Sequence, residues 1–547
     1  MSIQNTVLER WGALALAMAC LTACSSRAGG DEGAKQGLQE LSDAGVEADG
    51  GVEEEDDAGL APLRTVPIPQ PSNGDIVDRA AAVQLGKAFF WDVQAGSDGQ
   101  TACASCHFAA GADNRVINTM HPGPNNRFES NGVTGPGQTA VVSNIGNDDR
   151  LGSQGVRSAT FVGIASDPGT AADVCVENPK APFGGERQVT GRNTPSVVGA
   201  VFFRQLFWDG RGHDVFNGLD PFGTTGNAGG SLTQIDHAGL ASQATGPTTN
   251  DVEMSCTGRP FNGPASVGSK LLARRPLQFQ DVATTDGVLG VLSASPERGL
   301  QGTYHDLIDK AFRADVATNA EAQFSRIWGQ AIQAYESTLI PDQTPLDRYL
   351  EGQASALTAK QVTGLNLFAG KAECYHCHPG PELSDATYTF AAQHGLVNED
   401  GGDQGFHHIG VRPVAFRNPE DLGRAANGPK GIPFSVSRAN VDRGAFKTPQ
   451  LRNIKLTAPY FHNGGKATLT DVVNFYAQGG DFANPSSRLR AINFLPGEAA
   501  ALVDFLTNGL TDCRTEKQRA PFDHPSLIVP NGPSLPAVGA EGHGACP

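Results

Sequence analysis

The chain has 547 residues, of which 39% are apolar and 18% charged, and carries a formal net charge of −17. That length supports two or three domains, each with its own core. The acidic balance, with no basic stripe, excludes a nucleic-acid-binding protein, and no segment past Leu21 is apolar for long enough to span a bilayer.

At the N-terminus, Glu9 and Arg10 precede an apolar run from Trp11 to Leu21. The run is too short for a membrane span and ends in small residues, which predicts a secretory signal. Leu21-Thr22-Ala23-Cys24 resembles a bacterial lipobox, which implies a signal peptide over 1–24, cleavage before Cys24 and acylation of its thiol. Ser25 follows, so the resemblance implies anchoring to outer-membrane lipid, periplasmic side; a plain signal peptide with a coincidental cysteine is the alternative. From 25 to 62 the chain is rich in Gly, Ala, Asp and Glu; up to Leu60 it sets eleven carboxylates against Arg27 and Lys35. Such a segment cannot bury enough apolar surface to fold and is expected to be a solvated tether.

The body begins with a helix over Ala80–Trp91 that leads to Cys103-Ala-Ser-Cys106-His107. Stretches 108–190 and 212–300 are rich in Gly, Pro, Asn and Thr with weak periodicity, and are expected to be long ordered loops. Thr318-Asn319-Ala320-Glu321 has the form of a capping box, after which Phe324, Trp328, Ala331, Ile332, Tyr335 and Leu339 share one helical face before Pro341. Thr358 can cap a helix through Phe368 that delivers Cys374-Tyr-His-Cys377-His378. Thr468 or Thr470 can start another through Tyr476, and Glu498–Thr507 reads as a last amphipathic helix.

Cys-x-x-Cys-His is the attachment signal of c-type haem: each Cys forms a thioether with a vinyl group and the adjacent His ligates the iron. Two copies predict two covalently bound haems and redox chemistry; a pair of zinc sites is the rival reading. Apart from these thiols, Cys20 and Cys24, four cysteines remain, an even number that reads as two disulfides in an exported protein. Of three connectivities, proximity favours Cys175–Cys256 and Cys513–Cys546.

LGKAFFWD before CASCH, then GRNTPSVVGAVFFRQLFWDGR, SQATGP with VEM, LFAGKAECYHCHPGPELSD, and GAFKTPQLRNIKLTAPYFHNGGKATLTDVVNFY follow in this order over about 85–510. They resemble the successive blocks of bacterial dihaem cytochrome c peroxidases and their MauG relatives. The resemblance implies a mainly α fold of two cytochrome c-like haem domains with long irregular loop insertions. A peroxidatic domain would cover 63–315, an electron-transfer domain 316–515, and a tail 516–547. Carried over residue by residue, Cys103, Cys106 and His107 would hold the peroxidatic haem. Glu253 would be its distal acid, moving a proton between the peroxide oxygens, and Gln243 the accompanying distal amide. Trp208 would lie between the haems, Asn193 with the carbonyls of Thr457 and Pro459 would form a calcium site, and His462 would bond a propionate of the second haem.

Cys374, Cys377 and His378 would hold that second haem. The resemblance places its sixth ligand fourteen residues after His462, where peroxidases usually have Met and MauG-like enzymes Tyr; here Tyr476 stands. Beyond the signal the only methionines are Met120 and Met254, and His394, His407 and His408 compete as ligands. The chain is longer than compact relatives between His107 and Asn193 and between Arg211 and Gln243, and His121 is the nearest histidine that could reversibly cap the first haem. The expected activity is reduction of hydrogen peroxide to water, with electrons from a small cytochrome c or cupredoxin. MauG-like or rubber-oxygenase-like oxidation of an organic or protein substrate, and a tethered electron carrier without enzymatic activity, are the alternatives.

Overall fold

The computed structural model describes residues 58–547 except 73, 131, 141–147, 224–231, 413–423, 425–441, 484–485 and 487. The signal segment, Cys24 and the tether before residue 58 lie outside the described residues. Helices dominate, with short antiparallel strand pairs between them.

The first core forms around α1 (Arg79–Trp91). Asp78 caps it, accepting from the backbone N–H of Ala80 and Ala81, which satisfies donors that no preceding turn can serve. Leu85, Phe89 and Phe90 are buried against the helix Phe324–Glu336. The two helices touch at Gly86, where a Cβ would lie 1.8 Å from the carbonyl oxygen of Ala331. Only glycine allows that approach.

The second core repeats the device. The helix Ala359–Ala369 begins with a full capping box of Thr358 and Gln361. It crosses the helix Glu498–Asp504 at Gly364, where a Cβ would lie 2.3 Å from the carbonyl oxygen of Ala501. Phe368, Leu502 and Phe505 fill the contact. In each half, a helix with a glycine crossing therefore precedes one Cys-x-x-Cys-His turn.

Four sequence expectations need correction. Thr318 starts no helix: it follows the short helix Ala314–Ala317, and its hydroxyl donates to the carbonyl of Ala314. Gln323 instead stands at the start of Phe324–Glu336, without a side-chain cap, and Leu339 lies past that helix. That helix belongs to the first core, so the break placed at 315/316 divides residues that pack together. The segment 212–300 contains α2 (Gly239–Thr249), with Pro247 inside it. With Phe324–Glu336 as α3, tertiary contact overrides the poor helix propensity of α2, since the Trp328 Nε1–H donates to the carbonyl of Ala244. Likewise 108–190 is partly paired: β1 (Met120–His121) with β2 (Arg150–Leu151), β3 (Gln154–Arg157) with β6 (Arg187–Val189), and β4 (Ala159–Gly163) with β5 (Val174–Glu177).

Both expected disulfides form, Cys175–Cys256 and Cys513–Cys546. The tail returns to the first half, where Leu527 and Val529 are buried in its core. Among the described residues no helix is long and apolar enough to cross a membrane.

Candidate active site

Both Cys-x-x-Cys-His turns open onto one cavity of about 840 Å³. The helix Ala104–His107 carries the first, and the turn Cys374–His376 begins the second. The imidazoles are held alike: Nδ1 of His107 lies 2.7 Å from the carbonyl of Gly111, and Nδ1 of His378 lies 2.9 Å from that of Leu383. A carbonyl partner fixes the proton on Nδ1 and leaves Nε2 as the metal ligand. The thiols of Cys103, Cys106, Cys374 and Cys377 are unpaired. Burial pushes the Cys106 thiol up to about 11 and the Cys374 thiol up to about 12, the reverse of a thiolate site. Among the described residues no group of three or more His, Cys, Asp or Glu gathers as a metal site. Two separated thiols beside one oriented imidazole, facing a largely apolar cavity, fit covalent haem and not zinc.

Glu253 and Gln243 line this cavity with Cys103, Cys106 and His107. Gln243 projects from α2. Glu253 follows in a turn that Asn250 organises, its Oδ1 accepting from the N–H of Val252 at 2.9 Å and of Glu253 at 3.1 Å. The turn presses on β3: a Cβ at Gly155 would lie 2.0 Å from the carbonyl oxygen of Val252. Burial raises the Glu253 carboxyl above its ordinary value, and the positive charge of Arg211 opposes the shift. Arg211, which sequence reasoning passed over, pairs with Asp209 at 2.9 Å and lies 3.9 Å over the ring of Phe207. Its signal was the Asp-Gly-Arg that ends the tryptophan block. His121 lines the same cavity, its Nδ1 accepting from the N–H of Gly123.

Trp208 lies where loops of the two halves join. Its Nε1–H donates to the carbonyl of Asn193 at 2.7 Å, its carbonyl accepts from the N–H of Lys447 at 2.8 Å, and its ring meets His462 edge-on at 6.3 Å. His462 stacks on Phe446 with centroids 3.5 Å apart. Burial and the charges of Arg192, Arg150 and Arg412 hold its pKa well below the ordinary value. Lys447, also missed, is buried 3.6 Å over the ring of Phe203, and burial lowers its pKa to about 7.

Asn193 and Pro459 do come together, but by a direct bond: Nδ2 donates to the Pro459 carbonyl at 2.6 Å. The Thr457 hydroxyl turns back to Ile454. The side chain of Asn193 thus meets the carbonyls of Pro459 and Phe461, in the loop where the resemblance implies the oxygen donors of a calcium site.

Near the second turn, Tyr476 projects from the helix Leu469–Ala477, whose capping box uses Thr468 and not Thr470. It lines the cavity with His378, and burial raises its phenol pKa well above the ordinary value. Of its rivals, His394 is exposed and stacked on Phe390 and His408 does not line the cavity, whereas His407 lines it with its Nε2 bound to Asp385 at 2.7 Å. Met120 and Met254 are buried in cores of the first half.

The family model of di-haem cytochrome c peroxidases, including MauG, matches residues 167–355, a span that contains Asn193, Trp208, Gln243 and Glu253 but neither haem motif. A protein named cytochrome-c peroxidase IdrP1 from Denitromonas iodatirespirans is 27% identical over 452 residues, 82% of this chain and 85% of the relative. Cytochrome c551 peroxidase of Nitrosomonas europaea is 28% identical over 60% of this chain and 68% of its own length. Methylamine utilization protein MauG of Methylorubrum extorquens is 34% identical over 28% of this chain and 34% of its own. With two haem-binding turns on one cavity and relatives of this kind along most of its length, the chain is an oxidoreductase of the dihaem cytochrome c peroxidase and MauG superfamily.

Proposed function

We propose that this protein reduces hydrogen peroxide to water at the Cys103/Cys106 haem, with electrons that enter at the Cys374/Cys377 haem. The observation that carries the reading is the placing of Glu253 and Gln243 on the cavity wall beside the first turn. The iron, when bound, supplies the coordination site and the electrons for breaking the O–O bond. Glu253 then takes a proton from the near peroxide oxygen and returns one to the leaving oxygen. A carboxyl raised by burial suits both tasks, because its proton affinity is brought toward that of its partner. Gln243 orients peroxide as a neutral donor and acceptor, and Arg211 keeps the carboxylate accessible. His121, which lines the same cavity, would cap this site before peroxide enters.

Trp208 provides the crossing between the halves, tied on one side to Asn193 and on the other to Lys447. A small donor protein such as a cytochrome c or cupredoxin delivers electrons to the second half. The mature chain is exported and held to outer-membrane lipid through Cys24. In the test, Glu253→Gln holoenzyme is mixed with peroxide and a reduced donor. Turnover should fall about 10²-fold or more, with two haems still bound. A tethered electron carrier would lose nothing.

The place of Tyr476 favours a second reading, MauG-like oxidation of an organic or protein substrate. A phenolate on the second iron would stabilise ferric and higher states and weaken that haem as an acceptor from cytochromes. Electron paramagnetic resonance of Tyr476→Phe separates the two: a changed ferric signal from the second haem supports tyrosine ligation, and an unchanged one removes the basis of this reading.

A further inference from the structure

Beneath the first haem turn, on the side of His107, lies a set of aromatic side chains that the proposed mechanism does not use. Phe90 lines the cavity, its ring 6.1 Å from that of His107 and 5.5 Å from that of Tyr335. Trp91, the next residue, donates its Nε1–H to the Tyr335 hydroxyl oxygen at 3.1 Å. The Trp91 indole also stacks on His524, with centroids 4.7 Å apart and planes 11° from parallel. Both side chains are sealed from solvent, Trp91 at 5% and Tyr335 at 2% exposure.

Packing alone would be served by any apolar rings. Here the two side-chain types that most readily give up an electron are hydrogen-bonded to each other, one ring away from the imidazole that would ligate the iron. Close by, Lys87 bridges the buried carboxyls of Asp286 at 2.8 Å and Asp523 at 3.5 Å, and both acids exert a negative field on Tyr335. Such a field favours the loss of negative charge from a neighbouring ring.

We propose that Trp91, with Tyr335 as its hydrogen-bond partner, is a redox-active site that gives one electron to the first haem once peroxide has oxidised it. The proposal rests on the peroxidatic reading above. Each peroxide needs two electrons and two protons to become two waters; one electron comes from the second haem and the other from the Trp91 indole. The indole becomes a cation radical and keeps its N–H on the Tyr335 oxygen, so no proton moves. A further electron from the second haem restores it. Without an electron donor the indole loses a second electron and adds water, giving hydroxytryptophan. In that case both electrons, and the two protons released with them, come from the indole and reduce the one peroxide that oxidised the haem.

The test uses the dihaem holoenzyme with a few equivalents of hydrogen peroxide and no donor. Freeze-quench electron paramagnetic resonance and peptide mass mapping are read alongside peroxide consumption and haem content. In the parent protein a transient tryptophan radical and one added oxygen on the peptide containing Trp91 are expected. Trp91→Phe should lose both. Tyr335→Phe, which removes only a hydroxyl, should keep the radical but change its hyperfine pattern, and this arm stands if Trp91→Phe loads haem poorly. Peroxide consumed with the Trp91 peptide unmodified and no tryptophan radical would overturn the proposal while leaving the peroxidatic reading intact. A holoenzyme that consumes no peroxide would overturn both.

Discussion

At the scale of single residues, Glu253 sets the pH dependence. Burial raises its carboxyl above the ordinary value near 4.5, so the carboxylate that accepts the peroxide proton forms only at correspondingly higher pH. The kcat/KM profile should therefore rise through an acid limb displaced upward from a free glutamate, and that limb should vanish in Glu253→Gln. Arg211 acts in the opposite sense: Arg211→Leu removes the charge that holds the shift down, and the limb should move further up. Both follow from pH-rate profiles with peroxide. The haem-binding residues were legible because a pentad is a local signal. Glu253 and Gln243 became legible only through their blocks, since an acid and an amide in polar sequence look like solvated loop residues, and what matters about them is a cavity wall assembled from α2 and the turn after it. Arg211 and Lys447 were passed over because a lone cation carries no sign of the ring it covers.

At the scale of elements, the glycine crossings and the last residue of α3 make the sharpest predictions. Gly364→Ala would force a Cβ to 2.3 Å from a backbone oxygen, an overpacking that costs roughly 1–3 kcal/mol; thermal melting should show the loss, with the second haem turn affected before the first. Glu336 ends α3 fully buried, and burial alone lifts its pKa to about 8. A carboxyl raised in the folded state is neutral there while the unfolded chain is already ionised. Its contribution is fully present below about pH 4.5 and is lost as pH rises to about 8, by up to about 1.4 kcal/mol per pH unit. Glu336→Gln should flatten that part of the stability curve, as denaturant melts at pH 5 and pH 8 would reveal. The helix starts at Thr358 and Thr468 could be read from sequence because their capping boxes are closed by neighbours three residues on. The box at Thr318 misleads because the same hydroxyl can instead bond back to Ala314. The helix Gly239–Thr249 is invisible to propensity, since what sustains it comes from Trp328, more than eighty residues away.

At the scale of the whole molecule, the described residues form one compact unit. The disulfide Cys175–Cys256 closes a span of 81 residues around the distal wall, and loop-entropy arguments assign such a closure roughly 4 kcal/mol. Cys175→Ala/Cys256→Ala should lower the melting temperature and reduce peroxide turnover by loosening the wall that carries Glu253, while pyridine haemochrome analysis still returns two haems per chain. Asn193 has a different importance. Its carbonyl holds Trp208, its N–H donates to His462 and its side chain to Pro459, so a single residue of one half fixes both the indole and the loop of the other. With the crossing point riveted in this way, passage of charge through the molecule should be indifferent to solvent viscosity. Glycerol would slow the encounter with a donor protein and leave the internal step at its own pace.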